Sequence, residues 1–211
     1  GEPALGDLLR RLPASERDTA LLCLAFDEDF ALIDGATATV PWLAVCLPSR
    51  WAPEDKVGRH LAAIHAPVAD NAMLVAATDS LARLVTGDER WERFVWTISA
   101  DPRLHQHPER CESAWPADVD ADELAALASL RSERQTFIPL PGARQAIFTI
   151  RVESLPLVEA ASHADAAARL HAAVASMSPA VLAYKGLAGA RDRLLAWLAA
   201  RAAQPGAAPP S

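Results

Sequence analysis

The sequence predicts an α+β protein built on an antiparallel sheet. Three observations lead there. A hairpin-like pair of apolar runs stands near the start of the chain. Three further strand-like runs follow in the second and third quarters, and helical patterning gathers around them instead of alternating with them. Strands in succession with helices set apart favour an antiparallel α+β arrangement over a doubly wound parallel sheet.

Each element has a local reason. Between Leu5 and Phe30 apolar residues recur at helical spacing (Leu5, Leu8, Leu9, Leu12, then Leu21, Leu22, Leu24, Ala25), and Pro13 predicts a break into two helices. Phe30–Asp34 and Pro41–Leu47, joined through Asp, Gly and Thr, read as a hairpin. Glu54–Ile64 reads as a helix stopped by Pro67, with His65 at its end. Asn71–Val85 reads as another, capped by Asp70 or Asn71 and closed by Gly87. Phe94–Ile98 is a predicted strand and Ala100–Ala117 a polar, Pro-rich excursion. A short helix over Asp122–Leu130 precedes strands over Glu133–Leu140 and Gln145–Val152, which Pro141-Gly142 joins by a turn. Helices over His163–Ser176 and Pro179–Ala202 complete one domain spanning residues 1–203, and residues 204–211 read as a disordered tail.

Composition narrows the function. The chain has 211 residues, 27 acidic against 20 basic, for a net charge of −7. That balance argues against nucleic acid or an anionic membrane as partner. At 51 % apolar the chain can bury a core. No apolar run reaches the ~18–20 residues of a membrane span, and Glu2 and Asp7 do not suit a signal peptide, so a cytoplasmic location is expected. Cys23, Cys46 and Cys111 are too scattered for a zinc or iron–sulfur set. No phosphate loop, Gly-x-Ser-x-Gly elbow or His-Glu-x-x-His motif occurs.

Read from the residues alone, the candidates keep two readings each. His65, at the end of an amphipathic helix, suits an axial haem ligand, and equally suits a structural histidine capping the last carbonyls. His60 lies about 140° away around a helix, which disfavours a paired metal site. His105 and His107 would point apart in an extended, solvated loop. In Arg131-Ser-Glu-Arg-Gln-Thr136, an extended chain turns Arg131, Glu133 and Gln135 to one side and Arg134 and Thr136 to the other. Such a face could polarise a bound oxygen species and hold a cation, or it could blunt an edge strand. Arg151 could pair with Glu133 or Glu153. The six tryptophans are spread along the chain, with core packing as their default role and the walls of a flat cofactor as the alternative.

Three blocks together resemble one family. Cys46-Leu-Pro-Ser-Arg-Trp51, Glu54-Asp-Lys-Val-Gly58 and Ile64-His-Ala-Pro-Val68 form the first. Leu130-Arg-Ser-Glu-Arg-Gln-Thr136, Leu140-Pro141 and Phe148-Thr-Ile-Arg151 form the second, and Tyr184-Lys-Gly-Leu187 with Arg193-Leu-Leu-Ala-Trp-Leu198 the third. In this order, from about Leu21 to about Leu198, the chain resembles the haem-dependent oxidative N-demethylases, whose type member is the α subunit of a dimethylamine mono-oxygenase. The resemblance implies a PAS-like fold with a five-stranded antiparallel sheet and a haem b held against it. It implies His65 as the iron ligand, with Arg131, Glu133 and Arg134 as the catalytic distal group. Arg50, Trp51, Trp96 and Arg151 are the expected cofactor contacts. Oxygen and a small nitrogen-containing substrate would meet at the haem, with electrons from an external flavin and iron–sulfur reductase. Self-association into a homo-oligomer stays open.

Two departures bear on substrate. Ala69-Asp70 stands where the family has Pro-Gly, and Arg93-Phe94-Val95-Trp96 lacks the asparagine of the family's Arg-x-Asn-Trp. If that asparagine supports the amine site, the departure leaves dimethylamine unassigned as the substrate. The alternatives to an oxygen-activating oxidase are a haem-based gas sensor, a non-catalytic PAS-like binding module and a haem-free paralogue.

Overall fold

The structure, a computed structural model, describes residues 5–111 and 114–204; the expected tail beyond Gln204 lies outside the described residues. Elements follow in the order α1 (Leu5–Arg11), α2 (Ala14–Ala25), β1 (Asp29–Asp34), β2 (Thr39–Ala44), a 3-10 turn at Pro53–Asp55, α3 (Leu61–His65), α4 (Ala72–Ala76), α5 (Thr78–Val85) and β3 (Trp91–Ser99). Then come α6 (Ala121–Leu127), β4 (Ser129–Leu140), β5 (Gln145–Pro156), α7 (Leu157–Ala160), α8 (Ala164–Ala175), α9 (Pro179–Tyr184) and α10 (Arg191–Ala202). The five strands form one antiparallel sheet in the order β2-β1-β5-β4-β3, the α+β class read from the sequence.

The described chain falls into two compact units. One holds the chain through Ala66, Ala72–Val95 and Glu133–Val152; the other holds Pro67–Asn71, Trp96–Ser132 and Glu153 onward.

In the first unit β1 pairs with β2 (Leu32 opposite Trp42) and with β5 (Ala31 opposite Phe148). Strict alternation buries Asp29, Ala31 and Ile33 on one face of β1. The hairpin turn is set by Asp34, whose carboxylate accepts from the backbone N–H groups of Ala36 and Thr37, both at 2.9 Å. Those bonds hold the Asp34 pKa below its usual value. Gly35 is required by space: a Cβ there would stand 1.9 Å from Thr86 Oγ1.

In the second unit α6, α8, α9 and α10 enclose Ile98, Leu124, Leu157, Val174, Leu187 and Leu194. Trp96, Trp115 and Trp197 pack against this one cluster, so half of the evenly spread tryptophans converge. A capping box of Asp120 and Glu123 starts α6.

Three helix expectations are corrected. The helix expected over Glu54–Ile64 shrinks to α3, because Gly58 adopts φ +75 and the chain before His65 bonds to β2 through Val40 and Arg59. Asn71–Val85 divides at Ala77, whose φ −90 and ψ 0 interrupt the helix. Pro179–Ala202 divides at Lys185-Gly186: Gly186 takes φ +68, and the Leu187 N–H turns back to the Leu182 carbonyl at 2.7 Å. That closing bond and a left-handed glycine end a helix with a fully buried Leu187 behind them.

Candidate functional site

The first unit gathers unlike side chains on one face of its sheet. On β4, alternation sends Glu133, Gln135 and Phe137 to the same side. The Phe137 ring stacks on Phe148 of β5, with centroids 4.6 Å apart and planes 19° from parallel. From β3, Arg93 Nε donates to Gln135 Oε1 at 2.7 Å, and its guanidinium carbon lies 5.8 Å from the Phe137 ring centroid. Gln135 is buried, and its Nε2 donates to Glu133 Oε2 at 2.6 Å. The other carboxylate oxygen of Glu133 accepts from the Ser49 hydroxyl.

Ser49 reaches this face for a local reason. The buried Asp29 carboxylate accepts the N–H of Cys46 at 2.7 Å and of Leu47 at 3.0 Å, and Pro48 is fully buried. The chain leaving β2 is thereby fixed one residue before the serine. Arg50 follows with φ +63, in the left-handed region, and Trp51 is half-buried.

His65 ends α3 and is half-buried. Burial is the main cause that lowers its pKa below 6.5, and the Arg93 charge lowers it further; a backbone hydrogen bond at Leu61 opposes them. The imidazole is thus kept uncharged at neutral pH, the form in which it can ligate a metal. Arg93 is crowded enough that burial also lowers its own pKa, while the Glu133 charge raises it. Yet Arg93 and its face-mate Val95 keep open surface.

The remaining expected site residues have other occupations. Arg134 and Arg151 point to the opposite face of the sheet. Arg134 Nη2 pairs with Glu28 Oε1 at 3.1 Å, and Arg151 Nη2 with Asp27 Oδ2 at 3.2 Å. Arg151 therefore faces away from Glu133, one of the two partners the sequence offered it. Arg131 belongs to the second unit and is only 2 % exposed; its guanidinium donates to the carbonyls of Arg103 at 3.1 Å and Leu104 at 2.8 Å. Trp96 is also in the second unit, where Lys185 Nζ donates to its carbonyl at 2.6 Å and lies 5.7 Å from its ring. His105 and His107, expected to diverge in a solvated loop, stack with centroids 6.3 Å apart, and His107 is buried.

Residue reasoning missed Arg93, Ser49, Phe137 and Phe148 as site members. Their signals were present but weak: Ser49, Phe137 and Phe148 lie within or beside the family-like blocks, Arg93 opens the tetrapeptide that departs from the family's Arg-x-Asn-Trp, and Phe137 and Phe148 stand at equal distances from the Pro141-Gly142-Ala143-Arg144 turn.

Among the described residues no three of His, Cys, Asp and Glu gather as a metal cage. The face offers instead a stacked pair of phenyl rings, an arginine and an anchored carboxylate, and the charge of that arginine bears on the uncharged imidazole of His65. That donor set fits a haem, which takes iron ligation from a single imidazole and needs apolar flat surface beside cationic groups. The family model for the haem-dependent oxidative N-demethylases, alpha subunit-like, matches residues 8–195, and the chain belongs to that family.

Proposed function

We propose that this chain is a haem-b-dependent oxidase that activates O2 to oxidise a small amine or related nitrogen compound, with His65 as the protein ligand to iron. The observation that carries the reading is a carboxylate fixed at both oxygens in one network with Arg93, whose charge also bears on the neutral imidazole of His65. Bound haem supplies the redox iron at which O2 is activated. The residues of the chain supply the rest.

Glu133 is placed to receive an ammonium group. Each of its oxygens already accepts one hydrogen bond, which fixes the carboxylate plane, and each keeps a second lone pair for a ligand. A carboxylate so oriented holds a cationic amine and can take its proton. Phe137 and Phe148 exclude water beside it. Burial chiefly keeps His65 uncharged, the Arg93 charge adds to it, and Arg93 lends positive charge to the face. The oxidation of an N-methyl group to formaldehyde consumes one O2, two electrons and two protons, and the electrons would come from a separate flavin and iron–sulfur reductase.

We assign no distal role to Arg131 or Arg134. Arg131 is buried and bonded to backbone carbonyls, and Arg134 lies on the opposite side of the strand from Glu133, where it pairs with Glu28. The distal part falls to Glu133, and the cationic part to Arg93.

Haem titration tests the reading. The protein should take up one haem with a Soret band, and the reduced form should bind CO. His65→Ala should weaken uptake by about 100-fold or more, or change the band to that of another ligand. Because the His65 pKa lies below 6.5, uptake should persist down to about that pH and decline only under it. An unaltered spectrum and affinity in His65→Ala would reject the ligand assignment.

A further inference from the structure

Gln135 stands between two opposite charges and fixes what each has left to offer. Its amide oxygen takes Arg93 Nε at 2.7 Å and its amide nitrogen serves Glu133 at 2.6 Å. A guanidinium carries five N–H donors, and Nε supplies only one of them. Among the described residues, no hydrogen bond occupies the Arg93 Nη groups, and the side chain keeps open surface. The two Nη groups form the fork that grips a carboxylate with two parallel bonds. Phe137 beneath the guanidinium holds it against the sheet. One short row thus presents an unfilled anion receptor, a bridging amide and an anchored cation receptor.

We propose that Arg93 receives a carboxylate, and that the row Arg93–Gln135–Glu133 selects a substrate bearing a carboxylate and an amine on one small skeleton, an N-alkyl amino acid, over a plain secondary amine. The inference rests on the oxidase reading above for its chemistry, though not for its binding. A haem propionate offers Arg93 the same carboxylate, so the test must separate the two sources.

Calorimetry with N-methylglycine and with dimethylamine, two secondary amines that differ by a carboxylate, gives that separation. The protein should bind N-methylglycine about 10-fold or more tightly over dimethylamine. Arg93→Gln should abolish that preference, and Arg93→Lys should recover part of it. Arg90→Gln, on the exposed residue just before β3, serves as the control and should change neither. Unchanged N-methylglycine binding in Arg93→Gln would overturn the proposal. So would an Arg93→Gln protein that loses affinity for haem but not for haem dimethyl ester, which would give the carboxylate to the cofactor. Failure of the wild-type protein to take up haem would instead reject the oxidase reading, and the calorimetric comparison would still decide the role of Arg93.

Discussion

The two faces of the first unit's sheet handle charge in opposite ways. On one face Arg134 and Arg151 close onto Glu28 and Asp27, each cation with an acid from the chain just before or at the start of β1. On the other, Arg93 and Glu133 are kept apart by Gln135, which bonds both and lets neither neutralise the other. Glu133 and Arg134 are neighbours in sequence, yet the pleat assigns one to the proposed receptor and the other to an ion pair. A direct Arg93–Glu133 bridge would have used the groups a ligand needs. The intervening amide keeps them oriented and available, and that separates the proposed binding face from a structural one.

The sharpest way to set the two uses of charge apart is to remove Arg131, two residues before Glu133 on the same strand. Its guanidinium is buried and bonded to the carbonyls of Arg103 and Leu104. Arg131→Met leaves those carbonyls without their charged donor and should cost about 2–4 kcal/mol of stability. The expected fall in Tm is about 5–15 °C in a chain of this size. A Tm within a degree or two of wild type would show that the loop at Arg103–Leu104 holds without it.

Glu133→Gln should do the reverse. The isosteric amide keeps the shape, and the half-buried position makes the loss of charge cheap for the fold, so Tm should stay within a few degrees. Affinity for an ammonium ligand should drop by about 10- to 100-fold, the worth of a charge-assisted hydrogen bond. Calorimetry with dimethylamine measures it directly, and an undiminished affinity would move the cation receptor elsewhere.

How far these contrasts could be read in advance depends on the range of the interaction. Strand alternation alone placed Glu133 and Gln135 opposite Arg134, and Pro141-Gly142 placed the turn, with Gly142 at φ +75. His65 at a helix end followed from Pro67. What escaped was decided between distant segments. Arg134 meets Glu28 across 106 positions, and no local pattern names that partner. Arg93 looked like one member of a family-like tetrapeptide, because the glutamine that orients it comes from another strand. The single helix expected to Ala202 failed for a nearer cause: helical apolar spacing continues through Lys185-Gly186, while the left-handed glycine stops the backbone.

The smallest expected effect tests the closed face itself. Arg134 and Glu28 form a partly exposed pair, with side-chain exposures of 39 % and 23 %. Water and salt screen such a pair, so Arg134→Ala should cost only about 0.5–1 kcal/mol. The cost should shrink further as salt is raised, because screening has already weakened the attraction that the variant removes. Ammonium and carboxylate binding on the other face should stay as they were. A double-mutant cycle with Glu28→Gln isolates the pair energy from the separate losses of each side chain. A coupling well above 1 kcal/mol, or a change in dimethylamine affinity, would mean that the ion pair reaches through the sheet and that the two faces do not act independently.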